Sequence, residues 1–262
     1  SFLKNFKKSY KSEYKFQRAF LVSGEKLVYN GFGVMHGFMP VSQLKEAARK
    51  KYNSSINEYL ISCFVYATYQ TFLGDMTEKK AIRVAVPVNL RPYFDSNTTK
   101  NFFAMVSAEF IPDRNDYTFA EVAQIIHDSL QSQITKEHLE SIFSFTVSNT
   151  KLMIARVIPL PIKNLAMRLF YNKTALSNTT TITNIGNVQV LPEYVEYIDN
   201  FYCFIPFSKG QEIKGTITSY RDTLVYTFVS AYMDTTIQKK IFRQIASDGV
   251  DVRIETNGVY YE

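Results

Sequence analysis

Two boxes of the form Ser/Thr-x-x-Glu, Ser55-Ile-Asn57-Glu58 and Thr118-Phe-Ala-Glu121, each stand directly before apolar residues at helical spacing. In such a box the hydroxyl accepts the N–H three residues on, and the Glu reaches back to the N–H of the cap, so a helix starts there. After Glu58 the apolar set Ile56, Tyr59, Leu60, Cys63, Phe64 and Ala67 keeps the i, i+3, i+4, i+7 pattern, and Gly74 ends the helix. After Glu121 the stripe is Phe119, Val122, Ala123, Ile126 and Leu130.

A shorter helix over 42–51 turns Leu44, Ala47 and Ala48 inward. More helix follows to about residue 170, interrupted at Pro159 and Pro161. Residues 14–39 read as two strands around Ser23-Gly24-Glu25, and 81–88 and 101–111 as buried strands.

The last third then changes period. Residues 179–185, 193–205, 212–220 and 223–230 read as strands, the last two joined through Arg221-Asp222 as a hairpin. Asp234 starts a final helix with Ile237, Ile241 and Ile245 on one face, and Val250-Asp-Val252-Arg-Ile254 alternates as a closing strand. Helices and strands in blocks predict an α+β fold, a mixed sheet with helices packed on it. With no repeat or low-complexity linker, 1–262 is expected to form a single domain behind a basic end segment, 1–18.

A chain of 262 residues that is 46% hydrophobic can bury a large core. Of its net charge of +6, residues 1–18 carry +5, as Lys4, Lys7, Lys8, Lys11, Lys15 and Arg18 against Glu13. The basic character therefore belongs to an end and not to a groove, which speaks against a nucleic-acid partner. Cys63 and Cys203 lie inside apolar runs and read as reduced core residues of a cytoplasmic protein. No apolar stretch has the length of a membrane span. Ser1 in place of Met, with no leader after it, fits a piece of a longer protein. His127 and His138 stand 11 residues apart, too far to share a metal ion, and His36 has no partner in the sequence pattern. No metal site is expected.

Three segments come in a set order: Ser55-Ile-Asn57-Glu58, then Val86-Pro-Val-Asn89-Leu-Arg91-Pro, then Thr181-Ile-Thr183-Asn184-Ile-Gly186. In that order and spacing, over residues 25–256, they resemble the C-terminal lobe of the CoA-dependent acyltransferases. That superfamily includes chloramphenicol acetyltransferase, wax-ester and alcohol acyltransferases, and the condensation domains of peptide synthetases. Among these the chain is most similar to bacterial alcohol acetyltransferase-like proteins. The family's His-His-x-x-x-Asp-Gly, which supplies the catalytic base, is absent here, as no two histidines are adjacent. The family's Asp-Phe-Gly-Trp-Gly is missing too, and the chain has no tryptophan.

The resemblance implies a chloramphenicol acetyltransferase-like lobe, a two-layer sandwich, that moves an acyl group from CoA to an alcohol or amine. No bound cofactor is implied; acyl-CoA is a co-substrate. The partner would be an N-terminal lobe carrying the histidine, and this lobe alone would be inactive and would self-associate. Two other readings are a condensation-like lobe with a carrier-bound donor and a non-catalytic binding domain.

No catalytic residue is expected in this chain. Thr181, Thr183, Asn184, Asn89 and Arg91 are the candidates for lining the substrate and CoA channel. Threonines at alternating positions put their hydroxyls on one strand face, where they and the Asn184 amide can donate to a thioester oxygen. Threonine also simply suits strands. Arg91 either anchors its loop or meets substrate. Asn57, Glu58 and Asn101 are expected to be structural: the first two serve the start of a helix, and Asn101 sits where family members carry Gly-Asn, with Lys100 in place of the Gly.

Overall fold

The computed structural model describes residues 17–74, 80–95, 99, 101–150 and 159–258. Seven strands form one sheet: β1 Gly33–Pro40, β2 Ile82–Asn89, β3 Phe103–Phe110, β4 Thr180–Asn187, β5 Ile213–Tyr220, β6 Thr223–Ser230 and β7 Arg253–Thr256. Their order is β3-β2-β4-β5-β6-β1-β7. β2, β4 and β5 run parallel, and the other pairings are antiparallel, so the sheet is mixed as expected. The helices are α1 Val41–Tyr52, α2 Ile56–Phe72, α3 Phe119–Gln133, α4 Lys136–Thr150, α5 Leu160–Ala175 and α6 Thr236–Ser247.

Both capping boxes close. Ser55 and Thr118 each accept from the glutamate N–H three residues on, and each glutamate reaches back to its cap. α2 is buried almost all round, with Tyr59, Leu60, Ile61, Phe64 and Val65 sealed from solvent. It packs against α1, α3, α6 and β2. The sheet face toward it supplies Val84, Val86, Ile182, Ile217, Tyr226 and Phe228 to the same core. Asp248, just after α6, accepts from Tyr52 and Tyr59 (2.8 Å each) and from Gln244 (3.1 Å), with Lys51 3.2 Å away. Burial alone would raise this carboxyl's pKa, but the donors outweigh it and hold it below the ordinary aspartate value. One acid thus ties α1, α2 and α6 together.

The expected hairpin turns at Arg221-Asp222, with Arg221 at φ 53° and Tyr220 opposite Thr223. Asp222 then accepts from both Ser42 N and Ser42 Oγ (2.8 Å), placing the start of α1 beside the turn.

Four expectations need correction. Of the two strands read in 14–39, one exists, β1; residues 17–25 are irregular, and Lys26 makes an isolated bridge to Tyr232. The apolar residues before β1 pack instead as a covering segment, Phe20 and Val22 joining the core. Residues 193–205 are not a strand: Pro192–Tyr197 is a 3-10 helix, started by a proline at its head, and the rest is irregular. Cys63 is buried as expected, but Cys203 is half-buried on that irregular segment. The closing strand is shorter than its alternation, Arg253–Thr256, and exposed along its length. The basic segment's residues 1–16 lie outside the described residues. Among those described, no helix is long and apolar enough to cross a membrane.

Candidate functional site

The sheet face opposite the helices carries a polar row. Thr183 stands opposite Thr216, Thr216 opposite Thr227, and Thr227 opposite His36, which is followed by Glu255 on β7. The irregular segment after Tyr197 lies over this row. Thr218 Oγ1 donates to Phe201 O (2.8 Å), Thr216 Oγ1 donates to Cys203 O, and the His36 ring meets Tyr202 and Phe204 edge-on at 4.9 and 5.5 Å. His36, partnerless in the sequence reading, has Nδ1 2.8 Å from Thr227 Oγ1. Burial lowers its pKa from the ordinary histidine value, and Glu255 works the other way.

Beside this row a cleft of about 420 Å³ opens across β3, β2 and β4. β2 and β4 pair only at Val84↔Thr180 and Ala85↔Thr181. Pro87, two residues on, has no N–H to offer a neighbour. Past that point Pro87, Asn89 and Arg91 line one side, Thr181, Thr183 and Asn184 the other, with Asn101 and Phe102 from the approach to β3, Phe103 and Met105 from β3 itself and Ile205 from the covering segment. Asn89 and Asn184 stand toward the carboxyl ends of two parallel strands, the position where open sheets with parallel strands bind ligands.

Each motif has a local reason for its shape. Asn89 Oδ1 accepts the Arg91 N–H (3.1 Å), an Asx turn that lifts the chain off β2. Asn184 Oδ1 accepts the Gly186 N–H (2.8 Å), and the β4–β5 register slips between Asn184 and Gly186. Gly186 takes φ 85°, with nothing within 4 Å of where a Cβ would stand, so conformation and not space asks for glycine. This is a bulge of the kind that re-aims side chains at a sheet's working end. This turn engages the Asn184 amide through its oxygen and not its N–H groups. Thr181 Oγ1 donates to Gln211 Oε1 (2.8 Å), while the Thr183 hydroxyl makes no hydrogen bond among the described residues.

The cleft therefore gathers Asn89, Arg91, Asn101, Thr181, Thr183 and Asn184 from three separated segments. Asn101, expected to be structural, lines it too. The apolar wall of Phe103, Met105 and Ile205 was not anticipated: Phe103 and Met105 are outward residues of a strand read as wholly buried, and Ile205 arrives on a segment read as a strand.

Asn57 and Glu58 lie elsewhere. Glu58 Oε2 accepts from Ser55 N (2.7 Å), and Oε1 accepts from Gln131 Nε2 (3.0 Å) of α3. His127 Nδ1 is 3.3 Å from Oε2, an ion-pair distance without hydrogen-bond alignment. Burial pushes the Glu58 pKa up, but the Ser55, Gln131 and His127 contacts outweigh it, so the carboxyl sits below its ordinary value. Asn57 Oδ1 is buried with no hydrogen-bond partner among the described residues, so the box is closed by Ser55 and Glu58 without it.

No family model matches the sequence, and no curated protein matches it by sequence. Solved structures do match in shape. The nonribosomal peptide synthetase FmoA3, bound to α-methyl-L-serine-AMP, aligns with TM-score 0.54 at 15% identity over 87% of this chain and 24% of its own. The polyketide synthase associated protein 5 of Mycobacterium tuberculosis aligns with TM-score 0.51 at 14% identity, over 82% and 52%. The TRI3 trichothecene 15-O-acetyltransferase of Fusarium sporotrichioides aligns with TM-score 0.50 at 12% identity, over 87% and 48%. The chain thus spans between a quarter and about half the length of these structures. What it shares with them is a fold, a mixed sheet with packed helices.

Proposed function

We propose that this chain is the C-terminal lobe of an acyltransferase and forms one wall of its transfer channel. The observation that carries this reading is the convergence of the Val-Pro-Val-Asn-Leu-Arg and Thr-x-Thr-Asn-x-Gly segments on one cleft with an apolar wall. The donor is acyl-CoA and the acceptor an alcohol or amine. A base on the other lobe takes the acceptor's proton; the freed oxygen or nitrogen attacks the thioester carbonyl; the C–S bond breaks; and the CoA thiolate leaves and takes up a proton. The Thr183 hydroxyl and the Asn184 amide N–H groups donate to the carbonyl oxygen as charge gathers there. Phe103, Met105 and Ile205 receive the apolar part of the acyl group. Neither His36, engaged by Thr227 under Tyr202, nor His127, against Glu58, lines the cleft, so the base is expected from outside this chain.

The test is acetyl-CoA-dependent acylation of alcohols, followed by thiol release. The chain by itself is expected to show no turnover above background, since general-base help is worth about 10²–10⁴. Joined to a lobe bearing His-His-x-x-x-Asp-Gly it should turn over, and Asn184→Ala should suppress that. Turnover by the isolated chain that is lost in His36→Ala would sink this assignment. A second reading, acyl transfer from a carrier-bound pantetheine, draws on the likeness to the peptide synthetase; it predicts activity with an acylated carrier and none with free acyl-CoA.

A further inference from the structure

On the other side of β5 from the cleft, where α6 starts over β1, β6 and β7, lies a second cavity of about 200 Å³. Gly33 and Met35 of β1, Ser230 of β6, Tyr232, Gln238 and Lys239 form most of its wall. Gln238 is 2% exposed, and its Oε1 has no hydrogen-bond partner among the described residues. A buried amide oxygen stripped of water and left without a donor carries an uncompensated cost, so it marks a place built for something else to donate.

Three features define what fits. Gln238 asks for a hydrogen-bond donor. Lys239 supplies a cation at the rim; the start of α6 is already capped by Asp234, whose Oδ1 accepts from Thr236 N (2.9 Å), and among the described residues no acid lines the cavity. The lysine favours an anion. Met35 and Tyr232 give the cavity an apolar part of its lining. Gly33 leaves room: a Cβ there would find only Ser230 O, at 3.9 Å. At the ~30 Å³ that a water molecule occupies, the volume holds about six or seven non-hydrogen atoms.

We infer that this cavity is a binding site for a short-chain carboxylate bearing a hydroxyl. The carboxylate sits against Lys239, the hydroxyl donates to Gln238 Oε1, and the alkyl part lies on Met35. The site is separate from the transfer cleft and does not depend on the acyltransferase reading.

The experiment is titration calorimetry of the whole chain with 3-hydroxybutyrate, both enantiomers, beside butyrate, which lacks the donor, and 1,3-butanediol, which lacks the charge. Saturable binding of one enantiomer is expected, about tenfold weaker for either control. Gln238→Leu and Lys239→Met should each weaken it about tenfold, and Gly33→Val, which fills the cavity, should abolish it. Lys239 is at the surface, so that variant remains informative if Gln238→Leu does not fold. Absence of saturable binding, meaning that water alone occupies the cavity, would overturn the assignment. So would equal affinity for butyrate, or unchanged affinity in Lys239→Met or Gly33→Val.

Discussion

The ring of Phe242 on α6 lies directly against the α-carbon of Gly37 on β1, so that a Cβ at residue 37 would stand 2.1 Å from Cε1. Neither side can give easily, because Phe242 is buried among Tyr226 and Phe228 and Gly37 is hydrogen-bonded into the sheet opposite Tyr226. Gly37→Ala is expected to cost about 1–3 kcal/mol through overpacking. Urea unfolding should show a lower midpoint at unchanged slope, partly restored in Gly37→Ala/Phe242→Leu. Wild-type stability in the single variant would refute the close contact.

Asn184 and Asn57 should behave oppositely. In an active two-lobe protein, Asn184→Ala should cut transfer by about 10²–10³, the range for one oxyanion donor, with a modest loss of stability from its turn bond to Gly186. Asn57→Ala should leave transfer alone. Sequence reasoning gives Asn57 a stability role of about 0.5–2 kcal/mol, but its buried, unpartnered oxygen means that truncation removes a burden. Circular dichroism melts of Asn57→Ala should therefore show no loss. A clear drop would restore the capping role.

Glu58 makes stability depend on acid. Its folded pKa lies below the ordinary value, because the donors of Ser55 and Gln131 and the nearby His127 outweigh its burial. A carboxyl depressed by folding stabilises the protein above its unfolded pKa of about 4.3, and that stability drains away as pH falls through the folded value. Melting temperatures between neutral pH and about pH 3 should fall less steeply in Glu58→Gln than in the wild type. Parallel curves would remove Glu58 from the acid response.

Association should be driven by α5. Leu160, Ile162, Leu165, Met167 and Leu169 are each about 60–70% exposed on this helix. The sequence points instead to residues 31–39 and Phe201–Phe207 as uncovered surfaces; of these, Gly33–Met39 is strand paired with β6, and with β7 over Met35–Phe38, while Tyr202 and Phe204 are indeed exposed. Exposed apolar area of this extent tends to find a partner. Light scattering should show concentration-dependent dimers or larger species, diminished in Leu165→Glu/Leu169→Glu. A strict monomer at high concentration would count against the exposed helix as a contact surface.

What the sequence determined by itself is local. The two capping boxes, the Arg221-Asp222 hairpin and the alternating threonines of β4 are legible because each rests on hydrogen bonds or rotamers within a few residues. The order of the three motifs pointed to the fold before any strand was placed. Only the tertiary structure decided how these pieces meet. The cleft exists because β2 and β4, almost a hundred residues apart in sequence, pair for two residues and no more. Residues 198–207 have the composition of a strand, but the carbonyls of Phe201 and Cys203 are taken by threonine hydroxyls from the sheet face below. Period alone does not report such competition from outside the segment. The same holds for His36 and Glu58: each has partners drawn from a distant element, Thr227 for one and Gln131 and His127 for the other, and a residue's environment is a property of packing, not of spacing.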